Sequence, residues 1–124
     1  MLYKIVLSLL GVSLIACGSA DARSLRGTWV SKDPHMVAHV SKNSIRIDHK
    51  FSDGDSALYW KGTFRSNLAN GQWFRSLPDT EALEFSLFGS TAKSKKFTHR
   101  NNRLIFQFSI MGVNRKVSLV RKFA

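Results

Sequence analysis

Cysteine is almost absent from this 124-residue chain, and Cys17 is the only one. A single thiol excludes an internal disulfide framework and any cysteine-rich zinc site. Acid is scarce as well. Eight Asp and Glu stand against 19 Lys and Arg, for a formal net charge of +11. Glu81 and Glu84 are the only glutamates, and no acid follows Glu84, whereas residues 85–124 carry nine Lys or Arg. Long hydrophobic runs are lacking too. The apolar stretch 5–16 is 12 residues long, short of the roughly 20 that a membrane-spanning helix needs. Gly-x-Ser-x-Gly, Walker and dinucleotide-binding fingerprints do not occur, so the commonest motifs of serine hydrolases and nucleotide enzymes are missing. The length allows one domain and hardly two. A composition 44% hydrophobic and 22% charged suits a globular core and argues against wholesale disorder.

The N-terminus reads as an address. Lys4 supplies a positive n-region, and Ile5 to Ala16 form the apolar h-region of an export signal. Leu14-Ile15-Ala16-Cys17 resembles the bacterial lipobox. That resemblance implies removal of residues 1–16 and lipidation of Cys17 by a diacylglyceryl group and a further fatty acyl chain such as palmitate. Several acyl chains anchor firmly, since each buried CH₂ contributes about 0.8 kcal/mol and one chain alone is marginal. Residues 17–23 would then be a lipidated tether. Ordinary cleavage after Ala20-Asp21-Ala22, with a mature start at Arg23, is the alternative. The lipobox resemblance further implies that, with Gly18 rather than an Asp after Cys17, the protein would be sorted to the outer membrane in a Gram-negative host.

Residues 24–124 read as an antiparallel β domain with period-two alternation. Leu25, Gly27 and Trp29 share a face, and His35 to Ser41 follow as a strand. Lys42-Asn43 makes a tight turn, after which Ile45, Ile47 and Phe51 alternate with Arg46, Asp48 and Lys50. Asp53-Gly54 supplies the positive φ of a second hairpin. Leu58, Trp60, Gly62 and Phe64 share one face, with Tyr59, Lys61 and Thr63 on the other. Residues 67–71 form a loop, and Gln72 to Leu77 a short strand. Asp79 to Phe88 alternates like a strand. Yet Asp79 can N-cap, acids fill the first turn and Gly89 can end a helix, so a short helix is expected there. Lys95 to Arg100, Arg103 to Met111 and Arg115 to Lys122 complete the set, with Asn101-Asn102 and 111–114 as turns. About eight short strands and one short helix predict a small up-and-down barrel, whose closure removes exposed sheet edges.

Leu25-Arg26-Gly27-Thr28-Trp29 resembles the Gly-x-Trp opening of lipocalin-like (calycin) barrels. In those proteins the Trp lies near one end of the barrel under an Arg of the last strand. The resemblance implies that Trp29 and Arg121 form a structural pair. Alternation independently sends Arg121 inward with Val117 and Leu119, where a charge needs a partner, and an indole face provides one. A Trp buried in some other β fold is the alternative. The stretches Leu58 to Phe64, Phe88-Gly89-Ser90, Lys96-Phe97-Thr98 and Phe108 to Val113 are similar to small lipoproteins of bacteria and their phages. That likeness carries no established catalytic residues.

Reactive constellations are weak. His35 and His39 on a strand stand about 13 Å apart, at roughly 3.3 Å per residue, too far to share a metal. Asp53-Gly54-Asp55-Ser56 lacks the closing acid of a calcium loop, because Phe64 occupies that position. Glu81 and Glu84 would share a helix face, but acids at a helix N-terminus are already explained by its dipole. No cofactor, metal or catalytic residue is therefore expected.

The expected function is non-enzymatic binding at the cell envelope by a membrane-anchored lipoprotein. Trp60, Phe64, Phe106 and Phe108 would line the interior, as packed core or as the wall of a site for a small apolar ligand. Lys96, Arg100, Arg103, Lys116 and Lys122 point outward by alternation, and would form one basic face if their strands are neighbours. An anionic envelope component or an envelope protein would be its partner, since export argues against nucleic acid. A solvated cationic surface with no specific partner is the plainer alternative. The phage likeness implies a second function, exclusion of superinfecting phage. Hydrolysis of an envelope polymer is a third.

Overall fold

A computed structural model describes residues 25–65, 72–110 and 112–122, with Ile110 as backbone only. The signal, Cys17, the tether, the body of the 67–71 loop and Met111 lie outside the described residues. Eight strands follow in order: β1 (Gly27–Lys32), β2 (His35–Val40), β3 (Ser44–Lys50), β4 (Ser56–Thr63), β5 (Gln72–Pro78), β6 (Lys95–Arg100), β7 (Arg103–Ile110) and β8 (Val113–Lys122). One short helix, α1 (Thr80–Glu84), lies between β5 and β6. Every strand pairs antiparallel with its sequence neighbour, and β1 pairs with β8, so the sheet closes as an up-and-down barrel. The mainly β class, the barrel of eight strands and the short helix are as the sequence predicts.

Local chemistry fixes the turns. Asn101 and Asn102 both adopt positive φ, at 51° and 60°, which suits the tight β6–β7 hairpin. Gly54 takes φ 95°, while the Asp53 carboxylate accepts the Asp55 N–H at 2.9 Å. At α1, the Asp79 side chain accepts the Ala82 N–H at 3.1 Å, satisfying one of the donors a helix start leaves open. Leu83 is buried, whereas Phe85 and Leu87 are 87% and 96% exposed. The alternation of these three residues is therefore not a strand signal.

Two sequence expectations change. β8 begins at Val113, two residues early. More consequentially, Tyr59 does not face outward. Ile47 pairs with Trp60 and the next residue, Asp48, with Leu58, so Tyr59 is the extra residue of a β-bulge. A bulge breaks strict alternation by adding one residue to one strand. Tyr59 and Trp60 are both fully buried, and Leu58 is only half-buried. The Tyr59 hydroxyl accepts the Ser109 N–H at 3.0 Å, which meets the cost of burying a phenol.

The β4–β5 seam is the narrowest, with only Gly62–Pro78 and Thr63–Leu77 paired. The segment around α1 takes over where β5 leaves. Asp79 N–H donates to the Lys61 carbonyl at 2.7 Å, and Ser90 N–H to that of Tyr59 at 2.8 Å. The Ser86 hydroxyl donates to the Leu58 carbonyl at 2.5 Å. The edge of β4 is thus satisfied by a loop rather than a strand. Gly62 makes the seam possible, because a Cβ there would collide with the Leu77 carbonyl and the Ser76 hydroxyl.

The buried cluster runs from Leu25 to Leu119 and all eight strands lie within residues 27–122. The closed barrel and the described core thus lie within residues 25–122. The chain enters at the end where β8 finishes, called here the terminal end. The β2–β3 turn, the β4–β5 connection and the β6–β7 turn share it. The other four connections lie at the far end.

Candidate functional site

Three groups of residues are candidates, and they occupy the terminal end, the interior and the outer face. At the terminal end Trp29 and Arg121 stand opposite each other in the β1–β8 pairing. The guanidinium carbon of Arg121 lies 4.3 Å from the Trp29 ring centroid. Its Nη1 donates to the Arg26 carbonyl at 2.6 Å. Trp29 is fully buried and donates its indole N–H to the Leu25 carbonyl at 2.9 Å. Gly27 has φ 131°, a conformation side chains disfavour, and carries the strand past Arg121. The pair stands near this end of the barrel, where the first and last strands meet.

In the interior, Trp60, Phe64, Phe106 and Phe108 all belong to one buried cluster. Phe64 packs on Phe74, Phe74 stacks on Phe97 at 5.3 Å, and Phe97 meets Phe106. Tyr59 continues the series to Phe106 and Phe108. Trp60 donates its indole N–H to Ser76 Oγ at 2.9 Å. These side chains pack on one another, as close-packed interiors require.

Lys95 is only 7% exposed. Its Nζ donates to the Gln107 carbonyl at 2.9 Å. It also lies 5.0 Å from the Tyr59 ring centroid, 5.7 Å from that of Trp60 and 5.9 Å from that of Phe106. An ammonium in such a place is held by aromatic faces and a carbonyl rather than by an acid. The signal was present in the sequence, because the alternation that turns Lys96 outward turns Lys95 inward.

The outer face gathers the predicted cations. Lys96, Arg100, Arg103, Lys116 and Lys122 are all exposed, and β6, β7 and β8 are consecutive neighbours. No acid lies on these three strands. β5 extends the face. Arg75 stands opposite Lys96, and Trp73, 54% exposed, has Lys96 Nζ at 4.9 Å and the Arg75 guanidinium at 5.7 Å from its ring centroid. Arg75 and Trp73 share this face by alternation, a pattern readable beforehand only by knowing that β5 adjoins β6.

The remaining sequence candidates do not converge. His35 and His39 lie exposed on β2, while His49 and His99 turn inward on other strands. No group of three metal-binding side chains occurs among the described residues. Glu84 lines a groove of about 340 Å³ beneath the α1 segment, and Glu81 does not. Burial, with the charge of His35 second, holds the His49 imidazole below its ordinary value of 6.5. Its Nδ1 has no hydrogen-bond partner among the described residues.

The chain matches no protein-family model, no curated protein and no solved structure.

Proposed function

We propose that this is an exported lipoprotein, anchored at the bacterial cell envelope through Cys17, whose barrel binds an anionic envelope component without catalysis. The observation that supports the reading is the acid-free outer face of β6, β7 and β8, with five exposed cations on three adjoining strands. A single-signed face of this kind attracts polyanions and repels cationic partners. The packing of Trp60, Phe64, Phe106 and Phe108 against other rings supports a structural role for the interior and a binding surface on the outside. The lipobox-like Leu14 to Cys17 and the likeness to lipocalin-like barrels and small envelope lipoproteins support the location.

Two measurements test the two halves separately. In the full chain, Cys17→Ala should abolish fatty-acid labelling and release the protein from membranes. Persistent labelling would remove the anchor. With the chain from Ser24 onward, binding to an anionic envelope polymer such as lipoteichoic acid or lipopolysaccharide should be salt-sensitive and should fall when Lys96 and Lys116 are changed to Glu. Binding that ignores those changes would remove the cationic face as the site.

A further inference from the structure

Topology sorts the charges in a way that chain order does not. Asp33 lies in the β1–β2 connection, Asp53 and Asp55 in the β3–β4 turn, and Asp79, Glu81 and Glu84 in the β5–β6 connection. All three connections are at the far end. Asp48, in the far half of β3, is held by Arg46 at 3.2 Å. The terminal end therefore has no acid among the described residues.

Cations gather there instead. Lys42 lies in the β2–β3 turn, and Arg65 follows the end of β4, where Phe64 N–H is tied to the Asn43 carbonyl at 3.0 Å. Arg100 and Arg103 flank the β6–β7 turn, and Lys122 ends β8. All five are exposed. Trp73, near the start of β5, is at the same end and is the exposed one of the three tryptophans, Trp29 and Trp60 being fully buried.

We propose that the terminal end of the barrel is a lipid-docking face, on which Lys42, Arg65, Arg100, Arg103 and Lys122 contact anionic phospholipid headgroups while Trp73 enters the headgroup layer. Basic side chains near an anionic bilayer each strengthen binding, and exposed indoles favour the interfacial zone. At the far end the acids offset Lys32, Lys50, Lys93, Arg115 and Lys116, and Arg115 is paired with Asp33 at 3.6 Å, so that end offers the same surface much less net positive charge. Covalent reach argues for the same orientation. Leu25 enters at the terminal end, and the stretch from Cys17 to Leu25 spans at most roughly 30 Å at about 3.3–3.6 Å per residue. That last argument rests on the lipid anchor proposed above. The charge asymmetry and Trp73 do not.

The test uses the chain from Ser24 onward, which holds the eight described strands of the closed barrel and their buried cluster, so Cys17 plays no part in it. Vesicles of phosphatidylcholine with about one-third phosphatidylglycerol should bind this protein at least about tenfold more tightly than phosphatidylcholine alone. Binding should weaken as salt rises. One variant carries Lys42→Glu, Arg100→Glu and Lys122→Glu at the terminal end. A control carries Lys32→Glu, Lys50→Glu and Lys93→Glu toward the far end, with the same change in net charge. The first should lose at least about fiftyfold in affinity and the control less than about fivefold. Vesicles should also shift tryptophan emission to the blue, and Trp73→Phe should remove the shift. Equal losses in the two variants would mean attraction by net charge alone and would overturn the proposal, as would unshifted emission on bound protein. Circular dichroism of both variants separates a folding defect from a docking defect. Failure here with intact Cys17-dependent labelling leaves the anchor standing, and the reverse result leaves the docking face standing.

Discussion

Arg121 covers Trp29 from directly across the β1–β8 seam, with its guanidinium 4.3 Å from the indole centroid. The contact lies where the first and last strands meet, so it joins the two strands farthest apart in the chain. A cation over an indole contributes about 0.5–2 kcal/mol, and the bond from Nη1 to the Arg26 carbonyl adds to it. Arg121→Met should therefore lower stability by about 2 kcal/mol in urea titration. Arg121→Lys should recover part of that loss at most, because an ammonium cannot lie flat on the ring and donate sideways at once. A loss within 0.5 kcal/mol for Arg121→Met would make the pair incidental.

Gly62 and Gly54 should respond very differently to alanine. A Cβ at Gly62 meets the Leu77 carbonyl and the Ser76 hydroxyl, both part of the narrow β4–β5 seam. Relief requires the backbone to move, so Gly62→Ala should cost about 3 kcal/mol or more. Gly54 has open space around it but φ 95°, so Gly54→Ala should cost only about 1 kcal/mol from backbone strain. Parallel thermal melts would reverse the reading if Gly54→Ala proved the worse.

Lys95 predicts a difference between shape and charge. Lys95→Met keeps a flexible stem among Tyr59, Trp60 and Phe106 but leaves the Gln107 carbonyl without its ammonium donor. The expected loss is about 1 kcal/mol, because removing a buried ion is partly offset by a smaller desolvation cost. Lys95→Ala also opens a cavity and should cost about 2–4 kcal/mol. Denaturant unfolding of both variants gives the comparison, and equal losses would show that packing does not matter at this site.

His49 should make stability depend on pH. Its folded value lies below 6.5, chiefly through burial. The unfolded chain therefore binds a proton more readily than the folded one between these values. The contribution is fully present above pH 6.5 and is lost as pH falls from there through the depressed folded value. His49→Phe keeps a ring against Phe51 and Phe108, at 4.8 and 5.6 Å in the native protein, and removes the unpartnered Nδ1. Urea midpoints between pH 8 and 5.5 should flatten in that variant. An unchanged slope would assign the titration to another group.

Alternation made most of the barrel legible. Trp29, Ile45, Ile47, Phe97, Leu104, Phe106, Val117 and Leu119 turn inward where period two puts them, since each strand has one face on the core. Turn chemistry located the hairpins, because Asp-Gly and Asn-Asn tolerate positive φ. Tyr59 escaped the pattern. An inserted residue has no composition of its own, and only pairing with β3 reveals it. Trp73 and Arg75 were visible as residues but not as partners of Lys96, because register between strands is a non-local quantity.

By itself the sequence determined the mainly β character, the strand count, the inward Arg121 and the excess of positive charge in the last third. These are local or compositional properties, set by side-chain period and turn residues. The register in which β1 meets β8, the bulge at Tyr59, the aromatic seat of Lys95 and the sorting of the described acids to one end of the barrel were decided only in three dimensions. Each depends on which strands adjoin and in what register, and that choice is made by packing one core from side chains far apart in the chain. The scarcity of acid after Glu84 is a fact of order along the chain. The end beside Leu25, free of acid among the described residues, exists only because alternating strands carry their turns to opposite ends of a closed barrel.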